Sequence, residues 1–173
     1  IENIEDALQG ARHILAEMIN EDTTARAAMR DLFFSAGTIR TRVVKGMEKE
    51  GAKFRDYFEW EEPVGRVAGH RLLAMRRGEK EKILALRITP PEESAIALLE
   101  RLFCRNRTRA AEQMRLAATD SYKRLLGMAL ETEIRLELKK RADEEAIGVF
   151  AENLRELLLA SPLGRKRTLA LDP

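Results

Sequence analysis

Leu130, Ile134, Leu138, Ala142, Ala146, Phe150, Leu154 and the pair Leu157-Leu158 recur at helical spacing for about eight turns. A stripe of that length needs a body to lie against, and it commits much of the chain to helix. The periodicity predicts one helix from Met128 to Leu159, interrupted only by Gly148 at roughly 1 kcal/mol against Ala, and stopped by Ser161-Pro162-Leu163-Gly164. Shorter helices are predicted upstream. Ile4, Leu8, Ala11, Ile14, Leu15, Met18 and Ile19 share a face behind an Asn3 cap, and Ala25, Ala28, Met29, Leu32 and Phe33 share another that should end near Gly37. Helices are also expected over His70–Arg77, ended by Gly78, and over Glu92–Phe103 and Ala110–Leu126.

Two segments follow a different period. Thr38-Ile39-Arg40-Thr41-Arg42-Val43-Val44 and Ile83-Leu84-Ala85-Leu86-Arg87-Ile88 alternate apolar and polar residues, and the second is closed by Pro90-Pro91. They are expected to pair as a small antiparallel sheet packed on a helix, because two isolated strands are only marginally stable. Between them Phe54, Tyr57, Phe58 and Trp60 fall within a short stretch, in which a helical turn would seat Phe54, Tyr57 and Phe58 together. The predicted fold class is therefore mainly α: a helical assembly with a small two-stranded antiparallel sheet and a long C-terminal helix.

The single Cys104 excludes an internal disulfide, so the fold must rest on packing, as suits a reducing cytoplasm. No run approaches the roughly 18 apolar residues of a membrane span. Ile1 at the start and the strand-like Thr168-Leu169-Ala170-Leu171-Asp172-Pro173 at the end lead to the expectation of a piece of a longer protein. The net charge of +2 is unevenly spread: residues 40–87 carry 13 basic and 8 acidic side chains, and residues 101–124 carry 7 and 2. Regional basic excess of this kind attracts nucleic acid or pairs with acidic faces nearby.

Catalytic constellations are hard to assemble. His13 and His70 lie in different elements, neither a metal-ligand spacing nor a nucleophile elbow is present, and the acids within Gly46–Gly51 would repel phosphate. The runs Glu59-Trp60-Glu61-Glu62 and Asp143-Glu144-Glu145 read as solvated faces, Met75 and Met114 as core fillers, and both histidines as structural. One segment offers a binding reading. Arg40, Arg42, Lys45, Lys53 and Arg55 surround Phe54 and Tyr57, a mix that holds single strands by phosphate contact and base stacking. The alternative makes the aromatics a core joining sheet to helices, with Arg stems over its edge.

The run Val43-Val44-Lys45-Gly46-Met47-Glu48-Lys49-Glu50-Gly51-Ala52-Lys53-Phe54-Arg55-Asp56-Tyr57-Phe58 resembles the Tex family of bacterial transcription accessory proteins. So do Glu62-Pro63, His70-Arg71-Leu72-Leu73-Ala74-Met75-Arg76-Arg77-Gly78-Glu79, Ala7–Arg12 with Ile14–Glu17, and Phe150–Ala160. Met47 stands where the family pattern has Lys, and Ala68-Gly69 where it has Pro-Ser. The resemblance implies a multidomain protein related to a eukaryotic transcription elongation factor. This region would join an N-terminal helix-turn-helix portion to a YqgF-like, RNase H-like domain, with helix-hairpin-helix modules and an RNA-binding OB-fold beyond. Residues 1–164 would then form the helical scaffold, with the sheet in 38–90, and residues 165–173 a linker and first strand of the RNase H-like domain, Asp172 matching its first acid.

The expected function is a non-catalytic scaffold in a transcription-associated, nucleic-acid-binding protein, without cofactor. Arg40, Arg42, Lys45, Lys53, Arg55, Arg76 and Arg77 would supply a weak, sequence-independent phosphate surface, with Arg165, Lys166 and Arg167 as a second patch. RNA or DNA is the expected partner, through this region or only through other domains, beside the flanking domains and the transcription machinery. The alternative is a purely architectural platform that touches no nucleic acid.

Overall fold

The computed structural model describes residues 3–104, 108–162, 164 and 166–171. Helix α1 (Ile4–Glu21) starts where the Asn3 side chain accepts the Asp6 N–H, and α2 (Thr23–Ala36) where Asp22 accepts the Ala25 N–H. The chain then extends into β1 (Thr38–Val43), makes a short 3-10 helix at Ala52–Tyr57, and returns as β2 (Glu59–Pro63). Helix α3 (Gly69–Lys80), strand β3 (Leu84–Thr89) and α4 (Glu92–Phe103) follow. Helix α5 (Arg109–Asp120), a π-helical segment (Ser121–Leu126) and α6 (Gly127–Leu159) form one continuous helical path, its joints keeping right-handed helical backbone.

The sheet has three strands in the order β2-β1-β3, all antiparallel, so the expected two-stranded sheet gains a member. In the sequence Glu59–Glu62 reads as a solvated face because its acids mask the alternation. Glu59 and Glu61 do face solvent, but Trp60 and Glu62 turn inward, and the Glu62 carboxylate binds Arg71 at 2.8 Å. An edge strand tolerates this composition, since solvent-side acids and a terminal Pro63 keep its open side from pairing with other chains.

Ile39 and Thr41 of β1 and Leu84, Leu86 and Ile88 of β3 point to the buried side. There Ile39, Leu86 and Ile88 join Met29 and Phe33 of α2, Leu72 and Met75 of α3, Leu99 of α4 and Leu130, Ile134 and Leu138 of α6. Gly78 does not end α3 as expected. It lies buried inside the helix, where an added Cβ would stand 2.6 Å from Leu84 Cδ1, so glycine lets helix and strand approach. Gly127 has a similar reason: a Cβ there would meet the Tyr122 carbonyl oxygen at 2.6 Å, the carbonyl that the widened π turn brings close. The π segment is held to α1 by Ser121, whose buried hydroxyl donates to the Ala16 carbonyl at 2.8 Å.

The long apolar stripe is covered for only half its length. Leu130, Ile134, Leu138 and Ala142 are buried, whereas Ala146, Phe150, Leu154, Leu157 and Leu158 are exposed. Helical periodicity specifies an apolar face but not what lies on it, and α3, which flanks α6, begins only at Gly69, opposite Ala142 and Glu145. His13 and His70, read as structural, are both exposed, while Met75 is fully buried and Met114 packs against the core.

Candidate nucleic-acid interface

The outer side of the sheet is built from the alternate residues of its strands. Arg40 and Arg42 project from β1; in register, Arg40 lies between Glu61 of β2 and Arg87 of β3, and Arg42 between Glu59 and Ala85. Arg40 pairs with Glu61 at 3.1 Å, both well exposed, while Arg42 has no ion pair among the described residues. Lys45 lies in the exposed turn beyond β1 and Arg55 on the exposed side of the 3-10 helix. Lys53 pairs with Glu81 at 2.7 Å and stands over the Phe54 ring, 5.0 Å from its centroid.

Arg76 and Arg77 do not join this face. They lie on α3, which packs on the buried side of the sheet, and line a groove with Glu79, Glu81, Lys139 and Asp143, where Arg76 pairs with Glu79 at 3.4 Å. The seven proposed cations therefore divide between two surfaces, and three of them hold carboxylates of the same chain. Lys166 and Arg167 are exposed on a segment without regular structure, and Arg165 and Asp172 lie outside the described residues.

The aromatics take the core role. Phe54 is buried with Ile83 and Leu84, and Tyr57 and Trp60 meet edge to face at 5.8 Å with the Arg71 guanidinium over the Trp60 ring. They bind the sheet to the helices and present no stack of open ring faces.

Sequence reasoning missed the arrangement along the free edge of β3. The Glu131 carboxylate of α6, 9% exposed, accepts the Ile88 N–H at 3.0 Å, Arg135 Nη2 at 2.8 Å and Arg87 Nη1 at 3.3 Å. Arg135 also donates to the Leu86 carbonyl and to Glu79 at 2.5 Å. One Glu-Arg pair, spaced i to i+4, thus satisfies the Ile88 N–H and the Leu86 carbonyl on the edge of β3 and ties α6 to α3. In the sequence it looks like any surface pair on a charged helix.

A second set of pairs joins α2 to α6. Glu133 receives Arg30 Nε at 2.5 Å and Arg26 Nη2 at 3.2 Å, and the Arg141 guanidinium lies over Phe34 at 4.8 Å. The Arg30 hydrogen bond holds the Glu133 carboxyl below its ordinary pKa of 4.5, against the opposing effect of burial. A depressed folded-state pKa stabilises the protein above the unfolded value and loses that contribution as pH falls through the folded one. Urea midpoints should therefore drop below about pH 4.5, and Glu133→Gln should flatten that drop. Parallel acid profiles for the two proteins would remove Glu133 from the account.

Among the described residues no three His, Cys, Asp or Glu side chains are grouped to hold a metal ion, and no helix is long and apolar enough to cross a membrane. Burial raises the Cys104 thiol pKa at the end of α4, which disfavours the thiolate.

The family model described as Tex central region-like matches residues 1–150. The chain is 44% identical to the protein YdcI of Bacillus subtilis (strain 168) over 98% of its own length and 24% of that protein's. It is 40% identical to the transcriptional accessory protein Tex of Neisseria gonorrhoeae, covering 99% of this chain and 24% of that protein. It is 29% identical to S1 RNA-binding domain-containing protein 1 of Homo sapiens, covering all of this chain and 19% of that protein. The chain thus spans about a quarter of the length of its bacterial relatives.

Proposed function

Because the chain belongs to the Tex central region-like family, we propose that it is a non-catalytic scaffold of a transcription-associated protein whose outer sheet face contacts phosphates without reading sequence. The observation that carries this reading is the row of Arg40, Arg42 and Arg87 on one solvent-facing side of a sheet that helices back on the other. Arginine suits phosphate through its planar fork of donors. The exposed Arg40–Glu61 pair resists little, since such pairs are worth about 0–1 kcal/mol and exchange partners readily. Glu59 and Glu61 on β2 limit the attraction, in keeping with a weak, positioning contact. The relatives named for transcription and for an S1 RNA-binding domain support nucleic acid as the partner class.

Anisotropy titration of fluorescent single-stranded RNA and duplex DNA, at low and moderate salt, tests this. Binding should weaken as salt rises, with a log–log slope of roughly −0.7 per contact for single strands and −0.9 for duplex. Arg42→Glu should lower affinity for both polymers alike. No anisotropy change at low salt would remove the phosphate surface.

A second reading rests on the outer half of α6, where Phe150, Leu154, Leu157 and Leu158 form an exposed apolar stripe. Large exposed apolar patches mark interaction sites. On this reading the chain is an architectural platform for flanking domains or the transcription machinery.

A further inference from the structure

Beside the outer sheet face runs a groove of about 440 Å³ that neither the helical periodicity nor the family resemblance points to. One wall is the β1–β3 side of the sheet, with Thr38, Arg40, Arg87 and Thr89; the other is the π segment and the start of α6, with Lys123, Gly127 and Glu131. We propose that this groove is a phosphate-binding subsite in which Arg40, Arg87 and Lys123 receive one phosphate group, a deepening that rests on the reading of the sheet face as phosphate-facing.

Three observations carry it. Arg40 and Arg87 stand directly opposite each other across β1 and β3, and like charges in that position repel. An anion between them turns that repulsion into attraction. Their present partners are also easily released. The Arg87 side chain is 73% exposed and holds Glu131 at only 3.3 Å, while Glu131 is already engaged by Ile88 and Arg135. Lys123 and Glu92 pair at 2.8 Å, each more than half exposed, so solvent screens that contact too. Finally, Lys123 lies within the π segment, a rare local widening that recurs at functional sites and that here borders the groove.

Such a phosphate belongs either to a nucleic-acid strand or to a free phosphate compound. Inorganic pyrophosphate and a short single-stranded RNA, each titrated into the full chain, separate the two. Pyrophosphate should shift the Nε–Hε NMR signals of Arg40 and Arg87, and Arg87→Gln should abolish the shift while leaving the urea midpoint in place. The same variant, and Lys123→Gln, should each weaken RNA binding several-fold and reduce its salt slope by about 0.7, the loss of one contact. RNA binding that is unchanged in both variants, with no pyrophosphate shift, overturns the subsite and leaves the sheet-face reading standing. Pyrophosphate shifts that persist in Arg87→Gln overturn it as well. An Arg87-dependent pyrophosphate shift without any RNA binding keeps the subsite, assigns it to free phosphate compounds and removes the nucleic-acid reading.

Discussion

Replacing Glu131 by alanine should cost about 3–5 kcal/mol of unfolding free energy, seen as a lower urea midpoint at unchanged slope. The carboxylate is almost enclosed and accepts from Ile88, Arg135 and Arg87 together. Its removal leaves the Ile88 N–H unpaired against α6 and deprives Arg135, itself 17% exposed, of one of its two carboxylates. A largely enclosed cation left with Glu79 as its one carboxylate and an orphaned backbone donor both cost stability. Glu131→Gln keeps an acceptor for Ile88 and should lose less. The double variant Glu131→Leu/Arg135→Met should recover only the part of the loss due to the unbalanced charge, because it still leaves the Ile88 N–H, and now the Leu86 carbonyl, without these partners. A loss below about 1 kcal/mol for Glu131→Ala would mean that water serves the strand edge as well as the carboxylate does.

The Glu131–Arg135 clamp also shows where the sequence stops informing. Helical periods and caps are local, so α1, α2 and α6 and the alternation of β1 and β3 can be read from neighbouring residues. The role of Glu131 depends on Ile88, 43 residues away, and nothing within 128–159 distinguishes it from Glu137 or Glu144, which remain at the surface. The opposition of Arg40 and Arg87 is non-local in the same sense: each was visible as an outward residue of its own strand, but the register that sets them face to face came from the pairing. Strand β2 failed for another reason. Three glutamates in five residues hide a period of two, and only the half-burial of Trp60 and Glu62 marks the inward side. The grouping of Arg76 and Arg77 with Arg40 and Arg42 followed from closeness in sequence, which the passage of the chain from sheet to α3 undoes.

Leu138→Asp and Phe150→Asp, three turns apart on one stripe, should behave oppositely. Leu138 is 6% exposed in the cluster that joins α6 to the sheet and α3, and a carboxylate there is buried without a partner. That costs several kcal/mol, a large share of the 5–15 kcal/mol that stabilises a domain, and the cooperative thermal transition should be lost or shifted far down. Phe150 is 67% exposed, so the same substitution should move the transition by no more than a surface change does, within about 0.5 kcal/mol. Circular dichroism melts of the two variants measure both. Unfolding by Phe150→Asp would show that the outer half of α6 packs on the body and would take away the exposed surface behind the platform reading. A folded Phe150→Asp beside an unfolded Leu138→Asp would mean that the inner half of the stripe holds this fold together, while the outer half is not needed for it and is available to a partner.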